Sequence, residues 1–459
     1  MKRFTATFIV LIISALVVAQ DYPVFEPDKL RPEEFRERRE RVKRELGAGA
    51  VGIVLTNPIR NRNNDVDFFF RGDSNFLYLT GFEEDSAALV LIPDGFELNG
   101  KKVTEILFCN VPTQQSITWL GYRMGPENAV KLLGFETALS NREFEATLSR
   151  IPAQRISVSI PPNPEPGLIG RMNLQILSYR EGKEAGPNLR QIIQRHRQVK
   201  SQWEIELLKK AAEISALAHV EAMRAVRPGM YEYEIDALYR YVFRREGCAD
   251  IGYEPIVGSG PNATILHYNA NRRKMEDGDL LLVDAAGEYM GYSADVTRTF
   301  PVNGKFSPEQ RAIYEIVLRA TDEGIAMCRS GMTTAQIGNR ISQILADRLI
   351  ELGIIQSRNQ VGRYYMHGFG HGIGLDVHDP MPATLVPGVV LTIEPGIYIK
   401  EGSPCDPKWW NIGIRIEDEI LVTDGEPVNL SAGAPRTIAD IEKLMQETGI
   451  GNQPFRPWR

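Results

Sequence analysis

Two aspartates carry the first chemical signal. Asp284 ends the apolar run Leu280 to Val283, and Asp295 opens a second extended stretch that continues through Phe300. The pattern predicts two strands joined by a turn near residues 288–291. A hairpin symmetric about Tyr289 and Met290 sets Asp284 directly opposite Asp295, at roughly 5 Å, where like charges repel. Burial of such a pair requires a bound cation or a shared proton. A solvent-exposed pair at a hairpin edge is the competing reading, and the apolar run into Asp284 argues against it.

Two further acids sit in similar settings. Glu394 follows the run Val389 to Ile393, and Glu417 lies where Ile412, Ile414 and Ile416 alternate with Arg415, Glu417 and Glu419. That alternation sets the isoleucines on one face and the charges on the other. Taken singly, each is an ordinary carboxylate at a strand end. Brought together with the aspartates, they predict a four-carboxylate pocket that metal ions would neutralise.

Histidine usage points the same way. The chain has six histidines, among them His267, His367, His371 and His378. His367 and His371 have the spacing of a helical zinc motif, but Gly368 replaces the required Glu, and glycines at 368, 370, 372 and 374 disfavour a helix. An extended segment instead puts His367, Phe369, His371 and Ile373 on one face and bare glycines on the other. A lone histidine is usually a satisfied core residue; several on one glycine-flanked strand favour ligation or catalysis. The segment matches no nucleotide-binding glycine loop, and no Gly-x-Ser-x-Gly elbow occurs. Metal-assisted hydrolysis remains.

The elements that must position these groups follow from pattern and punctuation. A charged helix to about Leu46 precedes strands at 51–55, 87–92, 103–108 and 156–160, with helices at 126–133 and 141–149 between them. Its basic run, 36–44, is interleaved with Glu and reads as a solvated face rather than a binding patch. The proline-rich stretch 161–167 is a breaker, and a domain boundary is expected near 195–200. The second half repeats itself. Arg-Pro-Gly-Met at 227–230 and Arg-Ser-Gly-Met at 329–332 each follow one long helix and start another, with Gly331 102 residues after Gly229. The helices are expected at 201–226, 232–245, 309–329 and 334–352, each pair leading into β-rich sequence.

Length and composition fit this picture. The 459 residues are 43% hydrophobic and 24% charged, enough for a large core without staples. A net charge of −6 gives no electrostatic reason to expect nucleic acid. Lys2 and Arg3 precede an apolar run at 8–19 that ends in small residues, the form of a secretory signal; a retained membrane anchor is the lesser reading, and no stable span is expected after cleavage. Four scattered cysteines show no Cys-x-x-Cys spacing; buried free thiols are preferred over disulfides. The expected domains are a signal at 1–20, an α/β domain at 21–196 and an α+β domain with a pseudo-twofold repeat at 197–459.

These residues closely resemble the pita-bread metallopeptidases, specifically the aminopeptidase P group. The likeness covers nearly the whole mature chain. It rests on Asp284, Asp295, His371, Glu394 and Glu417 in family order and spacing, and on the surroundings of His267, the Asp295–Phe300 run and Glu394-Pro395-Gly396. The stretch from Asp73 to Phe82 resembles the creatinase/prolidase N-terminal domain. The resemblance implies two divalent ions, with manganese suiting the mostly oxygen ligands and zinc or cobalt as alternatives. Asp284 would hold one ion, His371 and Glu394 the other, and Asp295 and Glu417 both. It further implies Glu394 as proton shuttle, His267 and His378 as substrate-binding groups that stabilise the tetrahedral intermediate, His367 as a further catalytic histidine, and Tyr398 and Arg415 as groups orienting the bridging carboxylates Asp295 and Glu417. The implied substrate is a peptide with proline at its second position, and the implied assembly a homo-oligomer. A prolidase, a catalytically silent pita-bread module and a creatinase-like enzyme are the rival readings. Pro380-Met381-Pro382 and the stretch Cys405 to Trp410 depart from the family pattern and are expected to reshape the pocket rim, with a packing or subunit contact as the equal alternative for Trp409 and Trp410.

Overall fold

The computed structural model describes residues 22–24, 30–161 and 167–452. The expected export signal and residues 162–166 of the proline-rich breaker lie outside the described residues. The chain divides into two compact units between Gln194 and Arg195. No helix among the described residues is long and apolar enough to cross a membrane.

The first unit is a mixed six-stranded sheet. Its order is Ala138–Ser140, Lys101–Cys109, Ala88–Leu98, Ala50–Leu55, Arg155–Ser159 and Glu184–Ala185. Val51, Ile53, Val90, Ile106 and Ile156 fill its core against Phe144, Met172 and Ile176. The helix Pro32–Leu46 corrects the expectation of a solvated basic face. Arg38, Arg39 and Lys43 are all buried. Arg39 and Lys43 pair with the buried Glu105 at 3.0 and 3.3 Å, while Arg38 donates to the Tyr78 carbonyl. The interleaved charges therefore form an internal ion-pair cluster.

The second unit contains the duplication, visible in its hydrogen bonds. Its helices are Gln202–Ala225 with Glu232–Arg245, and Pro308–Ala326 with Thr334–Glu351. Three of the four start on capping boxes, at Ser201/Glu204, Ser307/Gln310 and Thr333/Gln336. The turn into the second helix of each pair is tied down identically. Gly229 N donates to Met275 O, Met275 N to Met230 O, and Glu232 N to Arg273 O; in the other half the pairs are Gly331 to Leu385, Leu385 to Met332, and Thr334 to Ala383. Between the helix pairs lie antiparallel strands whose isoleucines, valines and leucines share one hydrophobic core with Val242, Ile313, Val317 and Leu345.

Each half contributes a long hairpin to this core. In the first, Leu280–Asp284 pairs with Thr297–Pro301 and Gly287–Tyr289 with Tyr292–Ser293. In the second, Val390–Ile393 pairs with Asp418–Leu421 and Gly396–Ile399 with Ile412–Arg415. The first hairpin turns at Met290-Gly291 rather than about Tyr289/Met290. Both turn residues have positive φ, 50° and 82°, the geometry that matches strand twist in a two-residue loop. Asp284 therefore lies opposite Thr297, not Asp295 as expected. Because side chains alternate with period two, Asp295 stays on the face of Thr297, diagonal to Asp284. All four cysteines are free thiols.

Candidate metal centre

The ends of the two hairpins converge. A cavity of about 310 Å³ is lined by Asp284, Asp295, Glu394, Glu417, His371, His367, His378, His267 and Arg415, with Leu266, Gly368 and Gly370. The ligating atoms of Asp295, His371 and Glu417 lie within 4.8 Å of one another. His371 Nε2 stands 3.4 Å from Asp295 Oδ2 and 3.6 Å from Glu394 Oε1. Tyr398 is buried just behind the cavity wall.

His371 reaches the acids from an extended but kinked segment. Phe369 O accepts from Glu394 N, His371 O from Thr392 N, and Ile373 N donates to Val390 O, a ladder beside Val390–Ile393. The expected single face of His367, Phe369, His371 and Ile373 is not kept: Phe369 packs on the hydrophobic core, Ile373 is buried, and neither lines the cavity. Gly370 lies against the second hairpin, where a Cβ would sit 1.9 Å from the Thr392 carbonyl oxygen. The His371 ring donates from Nδ1 to the Gly372 carbonyl at 3.0 Å, which turns the Nε2 lone pair toward the carboxylates.

Three of the four acids are also held from behind. Asp284 Oδ2 accepts from Arg415 Nη2 at 2.6 Å. Glu417 Oε2 accepts from the Thr297 hydroxyl at 2.7 Å, and that hydroxyl accepts from Arg415 Nε at 3.1 Å. The Asp295 amide donates to Glu419 at 2.6 Å. Tyr253 presents one phenol proton to two carboxylates, 2.5 Å from Asp284 and 2.6 Å from Asp295. A directional chain runs along the wall. Arg415 donates to the Tyr398 hydroxyl, Tyr398 to His367 Nε2, both at 2.9 Å, and His367 Nδ1 to the Gly368 carbonyl. His378 packs its ring on His371, with centroids 4.2 Å apart. The His267 imidazole makes no hydrogen bond with the described residues.

The electrostatics show what the site lacks. Four carboxylates face one permanent cation, Arg415, among the described lining residues. Burial pushes Glu394 up to about 7 despite the opposing pull of His371 and Arg415. Burial, then the charges of Asp295, Glu394 and Asp284, push Glu417 well above the carboxylate range. Asp284 is also raised by burial, against Arg415. Burial alone would lower His371, but the Asp295 hydrogen bond and charge lift it to about 9. Burial, with Arg415 second, lowers His367 to about 4, so this ring is neutral at ordinary pH. A cluster of hard oxygen donors and one imidazole, short of positive charge, fits divalent cations.

Several contributors escaped the sequence reading. Tyr253 sits in no motif. In the sequence Thr297 stands out only as a neighbour of Asp295, and Glu419 only as a member of the charged face. Neither departure from the family pattern lines the cavity: Met381 packs on the core, and Trp410 borders a separate cavity of about 300 Å³ with Arg273 and Asp279.

Comparison with known proteins agrees with this geometry. Residues 206–424 match metallopeptidase family M24, and residues 35–158 match the aminopeptidase P N-terminal domain. The Xaa-Pro aminopeptidase of Haemophilus influenzae is 37% identical over 91% of this chain and 98% of its own. Human Xaa-Pro aminopeptidase 3 is 33% identical over 87% of this chain and 82% of its own. Escherichia coli aminopeptidase P, solved with the inhibitor Pro-Leu, superposes with a TM-score of 0.84 at 34% identity, covering 91% of this chain and 98% of that one. A duplicated α+β unit with acids and imidazoles at the centre of its hairpins defines a pita-bread metallohydrolase, and the chain belongs to metallopeptidase family M24. Within that family it is a metallo-aminopeptidase of the aminopeptidase P group, and membership of a metallopeptidase family implies divalent metal ions at this site.

Proposed function

We propose that this chain is an exported Xaa-Pro aminopeptidase that uses two divalent ions, manganese by preference, to release an N-terminal residue from a following proline. The carrying observation is the convergence of three buried carboxylates and the half-buried Glu394 with His371 in one cavity, in a chain whose relatives are named for that activity. In this reading Asp284, Asp295, His371, Glu394 and Glu417 would hold the ions. Bound divalent ions supply Lewis acidity, polarising the scissile carbonyl and lowering the pKa of water.

The remaining work belongs to the side chains. Glu394 takes the proton of the attacking water and passes it to the departing proline nitrogen, which as a tertiary amide carries none of its own. His267 and His378 donate to the substrate carbonyl as its oxygen gains charge. His367, held neutral at the end of the Arg415–Tyr398 chain, presents a fixed ring to the peptide. Arg415 and Tyr398 keep Asp284 and His367 in place. Export is supported by the basic start and apolar run of residues 1–20. Self-association is supported by the exposed Trp119, Leu120 and Tyr122 on the N-terminal unit.

The test is chelator-stripped protein, reloaded with manganese and offered an Xaa-Pro dipeptide and an Xaa-Pro-Xaa tripeptide. Release of the first amino acid from the tripeptide is expected. Turnover of the dipeptide alone would make the chain a prolidase.

A further inference from the structure

Glu232, the first residue of the helix Glu232–Arg245, is fully buried, and its carboxylate accepts five hydrogen bonds. Oε1 takes the Ser259 amide at 2.8 Å, the Ser259 hydroxyl at 2.7 Å and the Asn262 amide at 3.1 Å. Oε2 takes the Tyr268 hydroxyl at 2.8 Å and the Arg273 amide at 2.9 Å. Every donor lies in residues 259–273, and that segment carries Leu266 and His267 into the wall of the metal cavity. Among the described residues the His267 side chain has no hydrogen-bond partner, so its backbone sets its place.

The duplication separates scaffold from addition. The backbone bonds that tie the helix start to the following loop are the same in both halves, and in the second half Thr334 occupies the place of Glu232. Thr334 is half-buried, and its hydroxyl makes a single long contact with the Ala383 carbonyl at 3.4 Å. The shared fold therefore forms without an acid at this position. The acid occurs in the half whose loop presents His267. A buried carboxylate costs desolvation that only its full set of donors offsets, so it is an expensive way to gain stability alone.

We propose that Glu232 is a positioning residue for His267, gathering residues 259–273 so that the imidazole stands over the substrate carbonyl. The inference rests on the peptidase reading for what His267 touches, and on geometry alone for how the loop is held. Removing the charge releases the loop, and displacement of a transition-state group by about 1 Å can cost up to roughly 100-fold in rate.

The test uses the full chain loaded with manganese and an Xaa-Pro-Xaa tripeptide. Glu232→Gln is expected to lower kcat by about 10- to 100-fold with metal content unchanged. In a His267→Ala background the same substitution should cost less than about 2-fold, because the two act as one unit. A full, multiplicative penalty on top of His267→Ala would overturn the proposal. If Glu232→Gln does not fold, Tyr268→Phe removes one of the five donors and must show a smaller penalty with the same coupling. Amide exchange provides an arm independent of turnover. Faster exchange confined to residues 259–273 supports the proposal, and uniform acceleration through the catalytic unit contradicts it. A wild-type chain inactive on the tripeptide would remove the peptidase reading, while the exchange result would still decide how the loop is held.

Discussion

At the scale of single residues, the site depends on hydroxyls as much as on carboxylates. The Thr297 hydroxyl lies between Glu417 and Arg415, so Thr297→Val leaves one oxygen of Glu417 without its donor. Loss of such a partner typically costs about 10- to 100-fold in metal affinity, measurable by competition with a chelator. A second prediction concerns His219, which is buried with Nε2 on the Val296 carbonyl at 2.9 Å and Nδ1 against the Tyr239 hydroxyl at 2.6 Å. Burial, assisted by the nearby Arg298 charge, lowers its pKa from 6.5 to about 3. Below the unfolded value, the unfolded chain binds a proton that the native ring refuses, so this contribution to stability is present at neutral pH and lost as pH falls. Thermal unfolding from about pH 8 to about pH 4 should show a falling midpoint in the parent and a shallower fall in His219→Gln, starting from a lower midpoint. Equal slopes would assign the acid loss to other groups. Residue identity made the charged face of Arg415, Glu417 and Glu419 legible, because alternation is local. It did not reveal Tyr253, whose partners lie 31 and 42 residues away and are brought to it by the fold alone.

At the scale of elements, the glycines of residues 368–374 look equivalent in sequence and are not. A Cβ on Gly370 would strike the Thr392 carbonyl, whereas one on Gly368 would meet nothing closer than 4.0 Å. Gly370→Ala should therefore cost about 1–3 kcal/mol, as overpacking does, and impair metal retention through His371. Gly368→Ala should unfold at nearly the parental temperature; a melting comparison of the two variants checks both. The helices and core strands were legible because their apolar periods and caps are short-range signals. Two features were misread for the opposite reason. The hairpin register turned on a positive-φ pair, Met290-Gly291, which hydrophobic alternation does not encode. The Pro32–Leu46 helix reads as polar, yet Arg39 and Lys43 find Glu105 across the unit, some sixty residues away. No local pattern announces such a partner.

At the scale of the whole molecule, the catalytic unit is two copies of one motif clamped together behind their acids. Arg298 is the clamp. From the first hairpin it donates to Asp418 at 2.6 Å, to the Glu417 carbonyl at 2.6 Å and to the Ala434 carbonyl at 2.9 Å, with both charged partners fully buried. Arg298→Met leaves the buried Asp418 only the longer ion pair with Arg436 at 3.6 Å and the Ser431 hydroxyl, and should destabilise the unit by up to about 3–5 kcal/mol in denaturant unfolding, more than loss of a surface ion pair. The repeat of Gly-Met turns exposed this duplication in the sequence; the clamp was not legible, because Arg298 is one of many arginines until its neighbours are known. What the two copies build between them is a pocket with more negative charge than Arg415 can balance. The most direct test is a count of manganese bound per stripped and reloaded chain, made alongside Xaa-Pro-Xaa hydrolysis before and after reloading. Two ions per chain are expected, with activity that disappears on stripping and returns on reloading, and loss of both in Asp295→Asn. A folded chain that takes up no divalent ion, or that cleaves the peptide equally well when stripped, would contradict this expectation.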